Sequence, residues 1–393
     1  MPFAAALSEH PLATQATGEV VGQVLERLGH RPPDLAVLFV TEAHGGALED
    51  IGATVRAALE PASLLGVTAV SVTGGPREVE QRPAVALWAA RFGPGRAGTA
   101  VRLPGAGAGG PGDPDDPAQA LVGLVPPGTG REDALLLLLA DPFSFPADAF
   151  ARAVDETRPG PRVAGGLASA ARGPGGNRLL LDDRRYDDGA VGVLLPAGAA
   201  ATAVVSQGCR PIGDPFVVTR AEGQVVYELG GRPALTRLEE MVASLSPDER
   251  ALAARGLHIG RVIDERRVEF ERGDFLIRGV LGADRESGAI AIGDRAEVGA
   301  TLQFQVRDAD AADEDLREIL AGHDADAALL FTCNGRGRHL FGIDDHDATI
   351  LDAAVDGGAS AGMFCAGELG PVGGQNFVHG FTASMILFTD RLG

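Results

Sequence analysis

Apolar residues in this chain alternate between unbroken runs and helical spacing. Thr14 to Leu28 carries apolar side chains at helical intervals and stops at Gly29 and Pro32-Pro33, which predicts a helix. Leu35 to Val40 is an unbroken apolar run, the pattern of a strand covered on both faces. Leu48 to Leu59 returns to helical spacing. Gly66 to Thr73 is β-branched and runs into Gly74-Gly75, a strand and a turn, and Ala84 to Phe92 is a further strand. The same order recurs. Ala134 to Ala140 is a buried strand, Pro146 to Val154 a helix with proline in its first turn, and Val163 to Ser169 and Ala190 to Leu195 are strands. It recurs again as the strand Ala327 to Thr332, the helix Ala348 to Val355, and the strands Gly362 to Ala366 and Val378 to Phe388. The result is three β-α-β-β units, alike in pattern rather than in letters.

Between the second and third units the rhythm changes. Gly256 to Ile263, Asp274 to Leu281, Ala289 to Ile292 and Ala300 to Val306 are short runs separated by Gly and Asp, as in an antiparallel meander, and Asp313 to Leu320 is helical. Leu229-Gly-Gly231-Arg-Pro233 interrupts the strand pattern before a helix from Ala234, and suggests domains 1–230 and 231–393. Gly93 to Gly130 is rich in Gly, Pro and acids and reads as a solvent loop. Gly105 to Gly110 within it matches G-x-G-x-x-G. A dinucleotide site needs a strand before and a helix after, and Pro111-Gly-Asp-Pro114 follows instead. The fold class expected is mixed α/β: repeated β-α-β-β units form mixed sheets flanked by helices. The C-terminal half adds an antiparallel meander, expected to join the third unit.

Composition removes whole classes of function. The 393 residues, 45% hydrophobic, can bury a large core. A net charge of −20 opposes nucleic acid and anionic membranes as partners. The basic residues are all arginine, so a P-loop, a Schiff-base lysine and a kinase strand lysine are excluded. Cys209, Cys333 and Cys365 have no Cys-x-x-Cys spacing, which points to a reducing compartment. The first residues lack the basic start and apolar run of a signal peptide, and no apolar run is long enough for a membrane span. A cytoplasmic protein is expected.

Several stretches together resemble the FIST family. Asp141-Pro-Phe-Ser-Phe-Pro146, Ala164-Gly-Gly-Leu-Ala-Ser169, Ser206-Gln-Gly-Cys209-Arg-Pro-Ile-Gly213 and Val218-Thr-Arg-Ala-Glu-Gly223 are similar to its N-terminal domain. Thr301-Leu-Gln-Phe-Gln-Val-Arg-Asp308, Phe331-Thr-Cys333-Asn-Gly-Arg336-Gly-Arg338 and Gly367-Glu368-Leu-Gly-Pro371-Val-Gly-Gly374 are similar to its C-terminal domain. The resemblance implies a sensory module of bacterial signalling that binds amino acids or similar small molecules, with no cofactor and no catalysis. Many members sit beside an output domain. Here only Thr389 to Gly393 follow the last strand, so a stand-alone protein that signals to a soluble partner is expected. The family often has Gly-Cys where this chain has Gly66-Val67, so no cysteine role carries over there.

The candidate ligand site lies in two strand-end loops, Cys333-Asn334-Gly335-Arg336-Gly337-Arg338 and Gly367-Glu368 to Asn376. Loops at strand ends are where α/β proteins place ligands. Arg336 or Arg338 can hold a carboxylate through paired hydrogen bonds, Glu368 can accept an ammonium, and Asn376 both donates and accepts. If the strands Ala327 to Thr332 and Gly362 to Ala366 end at one sheet edge, Arg336 and Glu368 face one pocket for a zwitterion. The bland alternatives are solvated turns and a mutual ion pair. Cys333 as nucleophile, with His339 or His379 as base, would make the chain a cysteine-dependent hydrolase, but a buried inert thiol is the commoner outcome. A protein-interaction adaptor without a ligand is the third alternative. Asp344-Asp345-His346-Asp347 lacks a metal-ligand spacing and fits the cap of the next helix. Arg77-Glu78-Val79-Glu80 is either a pocket wall or a charged turn.

Overall fold

The computed structural model describes residues 2–390 except 94–96, 106–133, 157–159, 197, 268 and 271. It divides into two compact units. One is Met1–Val205 with Leu316–Val378 and Thr382–Gly393; the other is Ser206–Asp315 with His379–Phe381.

The first unit holds the three expected repeats. Repeat one has β1 (Phe3–Ser8), β2 (Leu35–Thr41), β3 (Ser63–Ala69), β4 (Ser71–Gly74), β5 (Arg77–Glu80) and β6 (Val85–Ala90), with helices Ala13–Arg27 and Leu48–Leu59. Repeat two has β7 (Thr99–Leu103), β8 (Leu135–Ala140), helix Ala147–Glu156, β9 (Arg162–Leu167), β10 (Leu179–Leu181), β11 (Arg184–Tyr186) and β12 (Ala190–Leu194). Strand β7 lies inside the stretch expected to be a loop; the Gly-rich remainder from 106 lies outside the described residues. Repeat three opens with β13 (Ala201–Gln207), and the second unit is inserted after it.

The inserted unit contains β14 (Cys209–Pro211), β15 (Phe216–Glu222), β16 (Val225–Leu229), β17 (Arg232–Pro233), β18 (Leu257–Val262), β19 (Phe275–Asp284), β20 (Ala289–Ile292) and β21 (Thr301–Arg307). Strand pairing runs β21-β15-β16-β20-β19-β18 and returns to β21, a closed antiparallel ring. Ile259, Ile290, Leu302 and Phe304 fill its core. The meander was expected to join the third repeat. It pairs instead with β15 and β16, because closure of the ring consumes its edges. Gly230-Gly231, read as a domain boundary, is the two-residue turn between β16 and β17. Both glycines have positive φ (56° and 73°), as a tight hairpin requires.

Repeat three resumes with β22 (Ala325–Cys333), the short helix Arg338–Phe341, helix His346–Ala354, β23 (Val355–Cys365), β24 (Glu368–Val372), β25 (Gln375–His379) and β26 (Thr382–Phe388). Each repeat centres on a parallel pair: β2 with β3, β8 with β9, β22 with β23. Each short hairpin leaves its own repeat. The sheets run β1-β6-β2-β3-β10-β11, β7-β12-β8-β9-β24-β25 and β13-β26-β22-β23-β4-β5. Hairpin β10-β11 of repeat two completes sheet one, β24-β25 of repeat three completes sheet two, and β4-β5 of repeat one completes sheet three. The exchange is cyclic.

The inner faces of the three sheets share one core, with Phe3, Trp88 and Phe388 in mutual ring contact and Phe39 edge-on to Phe331. Trp88 Nε1 donates to the Ala359 carbonyl at 3.0 Å, which satisfies its one polar atom. Outer faces pack on helices: Val20 and Val24 with Ile51 and Val55 on sheet one, and Phe150 with Val154 on sheet two. Each parallel pair sets a glycine against a leucine: Gly66 against Leu38, Gly165 against Leu138, Gly362 against Leu330. Among the described residues no helix is long and apolar enough to cross a membrane.

Candidate functional site

Strands β22 and β23 end together, with Cys333 opposite Cys365. The chain then turns sharply. Asn334 N–H donates to the Cys365 carbonyl (3.0 Å), Gly335 N–H to Cys333 Sγ (3.4 Å) and Arg336 N–H to the Cys333 carbonyl (2.9 Å). This turn carries Arg336 inward, where it is 1% exposed. A buried guanidinium needs a counter-charge, and Asp347, in the first turn of helix His346–Ala354, supplies it. Arg336 Nε donates to Asp347 Oδ2 at 2.7 Å and Nη2 to Oδ1 at 2.8 Å. Thr332 Oγ1 donates to Oδ2 (2.8 Å), and His346 Nδ1 lies 3.0 Å from Oδ1. The guanidinium lies 5.2 Å from the Phe341 ring centre, and Phe341 stacks on His346. Burial alone would raise the Asp347 carboxyl; the Arg336 charge and the bonds from Arg336 and His346 outweigh it and hold it well below the usual range.

The exchanged hairpin of repeat one closes this assembly. Asp345 makes no side-chain cap for the helix that follows it; it takes the Glu78 N–H at 2.7 Å and pairs with Arg77 at 3.1 Å. The cap comes from Glu78, whose Oε1 accepts the Ala348 N–H at 3.0 Å. The expected local cap is thus replaced by one from 270 residues away in the chain. Burial first, then the charge of Asp347, push the Glu78 carboxyl up to about 8 against the pull of that N–H. Beside it, Glu80 Oε1 accepts the Arg338 N–H at 2.8 Å. Gly337 sits at φ +59°, and a Cβ there would lie 2.8 Å from both Glu80 Oε1 and the Phe364 ring.

Glu368 is fully buried. Its Oε2 accepts the Thr382 hydroxyl (2.8 Å) and N–H (3.3 Å). Burial pushes its carboxyl up to about 8 in spite of those bonds, the Arg336 charge and the Cys333 thiol. Burial, Glu368 and Cys333 push the Cys365 thiol well above its usual range.

The sequence placed Cys333, Asn334, Arg336, Arg338 and Glu368 at one edge, and β22 and β23 bring them there. The roles divide differently. Arg336 is held by Asp347 through Nε and Nη2, and Glu368 is buried, so neither side chain faces solvent. Asn334 and Arg338 are exposed. Asn376 stands apart: it holds Val163 N–H (2.8 Å), the Pro161 carbonyl (3.1 Å) and Asp155 (2.8 Å), tying β25 to the start of β9. An open cleft of about 610 Å³ is lined by Glu80, Gln81, Arg82, Arg338 and His339. Arg82 was missing from the expected set. Glu78 and Glu80 were read as a pocket wall or a charged turn, and Glu80 lines the cleft; Asp347 was read as part of a helix cap and instead holds Arg336.

Two sequence profiles match the chain, the FIST N domain over residues 34–232 and the FIST C domain over residues 234–371. An uncharacterized protein of Mycobacterium tuberculosis is 45% identical over 398 residues, covering 99% of this chain and 100% of the relative. An uncharacterized protein of Mycobacterium bovis is 45% identical over 393 residues, covering 97% of each. With both domains matched in order, the chain belongs to the FIST family, a family of sensory rather than catalytic domains associated with signal transduction and small-ligand binding.

Proposed function

We propose that this chain is a small-molecule sensor, and that its ligand, an amino acid or similar small zwitterion or carboxylate, sits in the cleft between Arg338 and Glu80. The observation that carries this is the locked wall of the cleft. The Arg336–Asp347 pair and the Glu78 cap hold the turn that carries Arg338 and His339, so the backbone of this wall is set before a carboxylate arrives. Glu80 supplies the acid for an ammonium. Cys333 and Arg336 support the turn behind the wall. Three buried cysteines outside any disulfide suit a reducing cytoplasm, where the ligand-bound state would be read by a soluble signalling partner.

Thermal-shift and calorimetric screening against amino acids and small carboxylates tests the proposal, because a ligand of the native state raises stability by mass action. Arg338→Ala, on an exposed side chain, is expected to weaken binding by about 1.5–3 kcal/mol, the scale of charge-assisted hydrogen bonds. Apo stability should not change. Binding indifferent to Arg338→Ala removes the ligand from this cleft.

A further inference from the structure

Repeat one has a cleft at the corresponding strand ends, of about 240 Å³. One wall is the turn after β2, with Glu42, Gly45 and Gly46; the floor is Thr68 near the end of β3; the other wall is Ala171 and Arg178, on the segment from β9 into the exchanged strand β10. In both clefts the turn after the first parallel strand faces a hairpin donated by another repeat. They share no residue.

Their charges differ in state. In the third-repeat cleft Arg338 already pairs with Asp344, and Arg82 with Glu9. In the first-repeat cleft Arg178 meets no carboxylate among the described residues. Its backbone is clamped to the sheet, with its N–H donating to Thr68 Oγ1 at 2.9 Å. Its Nη1 donates to two carbonyls of its own loop, Gly175 (2.7 Å) and Asn177 (2.9 Å). The guanidinium is therefore positioned but not neutralised. Glu42 is exposed and makes no ion pair or hydrogen bond among the described residues. An arginine and a glutamate that line one small cleft and are not paired by the chain leave two opposite charges for something else to satisfy. The cleft is small and admits a compact molecule of a few heavy atoms.

We infer that the cleft between Glu42 and Arg178 is a second small-molecule site, for a compact ligand with a carboxylate on Arg178 and a cationic group on Glu42. Calorimetric titration of the full chain with glycine, β-alanine, 4-aminobutyrate and 5-aminovalerate varies the charge spacing, with acetate and methylammonium as one-ended controls. One member of the series is expected to bind at least tenfold tighter than acetate. Arg178→Gln and Glu42→Gln should each weaken it at least tenfold. Arg178 also braces its loop, so Glu42→Gln, at an exposed and unbonded side chain, separates lost recognition from lost folding. The inference is overturned if no member binds the wild type, or if binding survives both variants. It is also overturned if binding is lost only with Arg338→Ala, a result that would leave the third-repeat site standing.

Discussion

Asp347 grips Arg336 through two hydrogen bonds of 2.7 and 2.8 Å, with both side chains at 0% exposure. The pair lies at the end of a parallel strand pair, where other α/β proteins hold ligands. Here the strand end uses its charge internally, to set the shape of the turn that carries Arg338. Removing one partner would leave an uncompensated buried charge. Arg336→Ala and Asp347→Ala are each expected to cost about 3–5 kcal/mol in denaturant unfolding. A loss below about 1 kcal/mol in either would mean that the pair is solvated, as surface pairs are.

Glu78 and Glu368 bind their protons more tightly in the folded chain, at about 8 against an ordinary 4.5. The stability this contributes is complete below about pH 4.5 and is lost as pH rises toward about 8. Asp347 acts in the opposite sense: its contribution is present above its ordinary 3.8 and lost as pH falls through its lowered folded value. Unfolding free energy measured across pH should therefore decline between about 4.5 and 8. Glu78→Gln and Glu368→Gln should each flatten the decline, and a slope equal to wild type in both variants would refute the assignment.

Glycines of the first unit separate into two kinds. A Cβ on Gly165 or Gly362 would lie 1.9 Å from the carbonyl oxygen of the facing leucine, and backbone cannot yield there. Gly165→Ala and Gly362→Ala are expected to cost about 3 kcal/mol or more. Gly18 and Gly22, exposed on helix Ala13–Arg27 with nothing within 4 Å of a Cβ, should behave oppositely. Alanine at either is expected to stabilise by about 1 kcal/mol in thermal or denaturant melts.

Cys333→Ser should fold and retain ligand binding, with a stability change of about 1 kcal/mol or less. A serine hydroxyl can donate to Glu368 as the thiol does and accept from Gly335 N–H. Screening wild type and variant against ester and amide substrates checks the alternative: turnover present in the first and lost in the second would favour a cysteine hydrolase.

The three-repeat α/β pattern was legible because its signals are local. An apolar run such as Leu35 to Val40, or the helical spacing of Leu48 to Leu59, reports burial on its own stretch of chain, and those elements stand where the pattern put them. Short strands carried less signal. Leu179–Leu181 and Arg184–Tyr186 span three residues each, too few for a period to declare itself. Val378 to Phe388 read as one strand, but Gly380 and Phe381, the latter at φ 65°, break it between β25 and β26.

The sequence by itself determined the repeat, the buried strands, the exclusion of lysine chemistry and the strand-end position of Cys333, Arg336 and Glu368. Only the tertiary structure decided what those side chains meet. Val72 pairs with Met363, and Leu369 with Gly165, across sheets that no local period can specify. That exchange brings Glu78 over Ala348 and turns a charged residue of a short strand into a buried helix cap. Whether Arg336 faces solvent or Asp347 is settled the same way, since the cost of burying a charge depends on the partner that folding delivers.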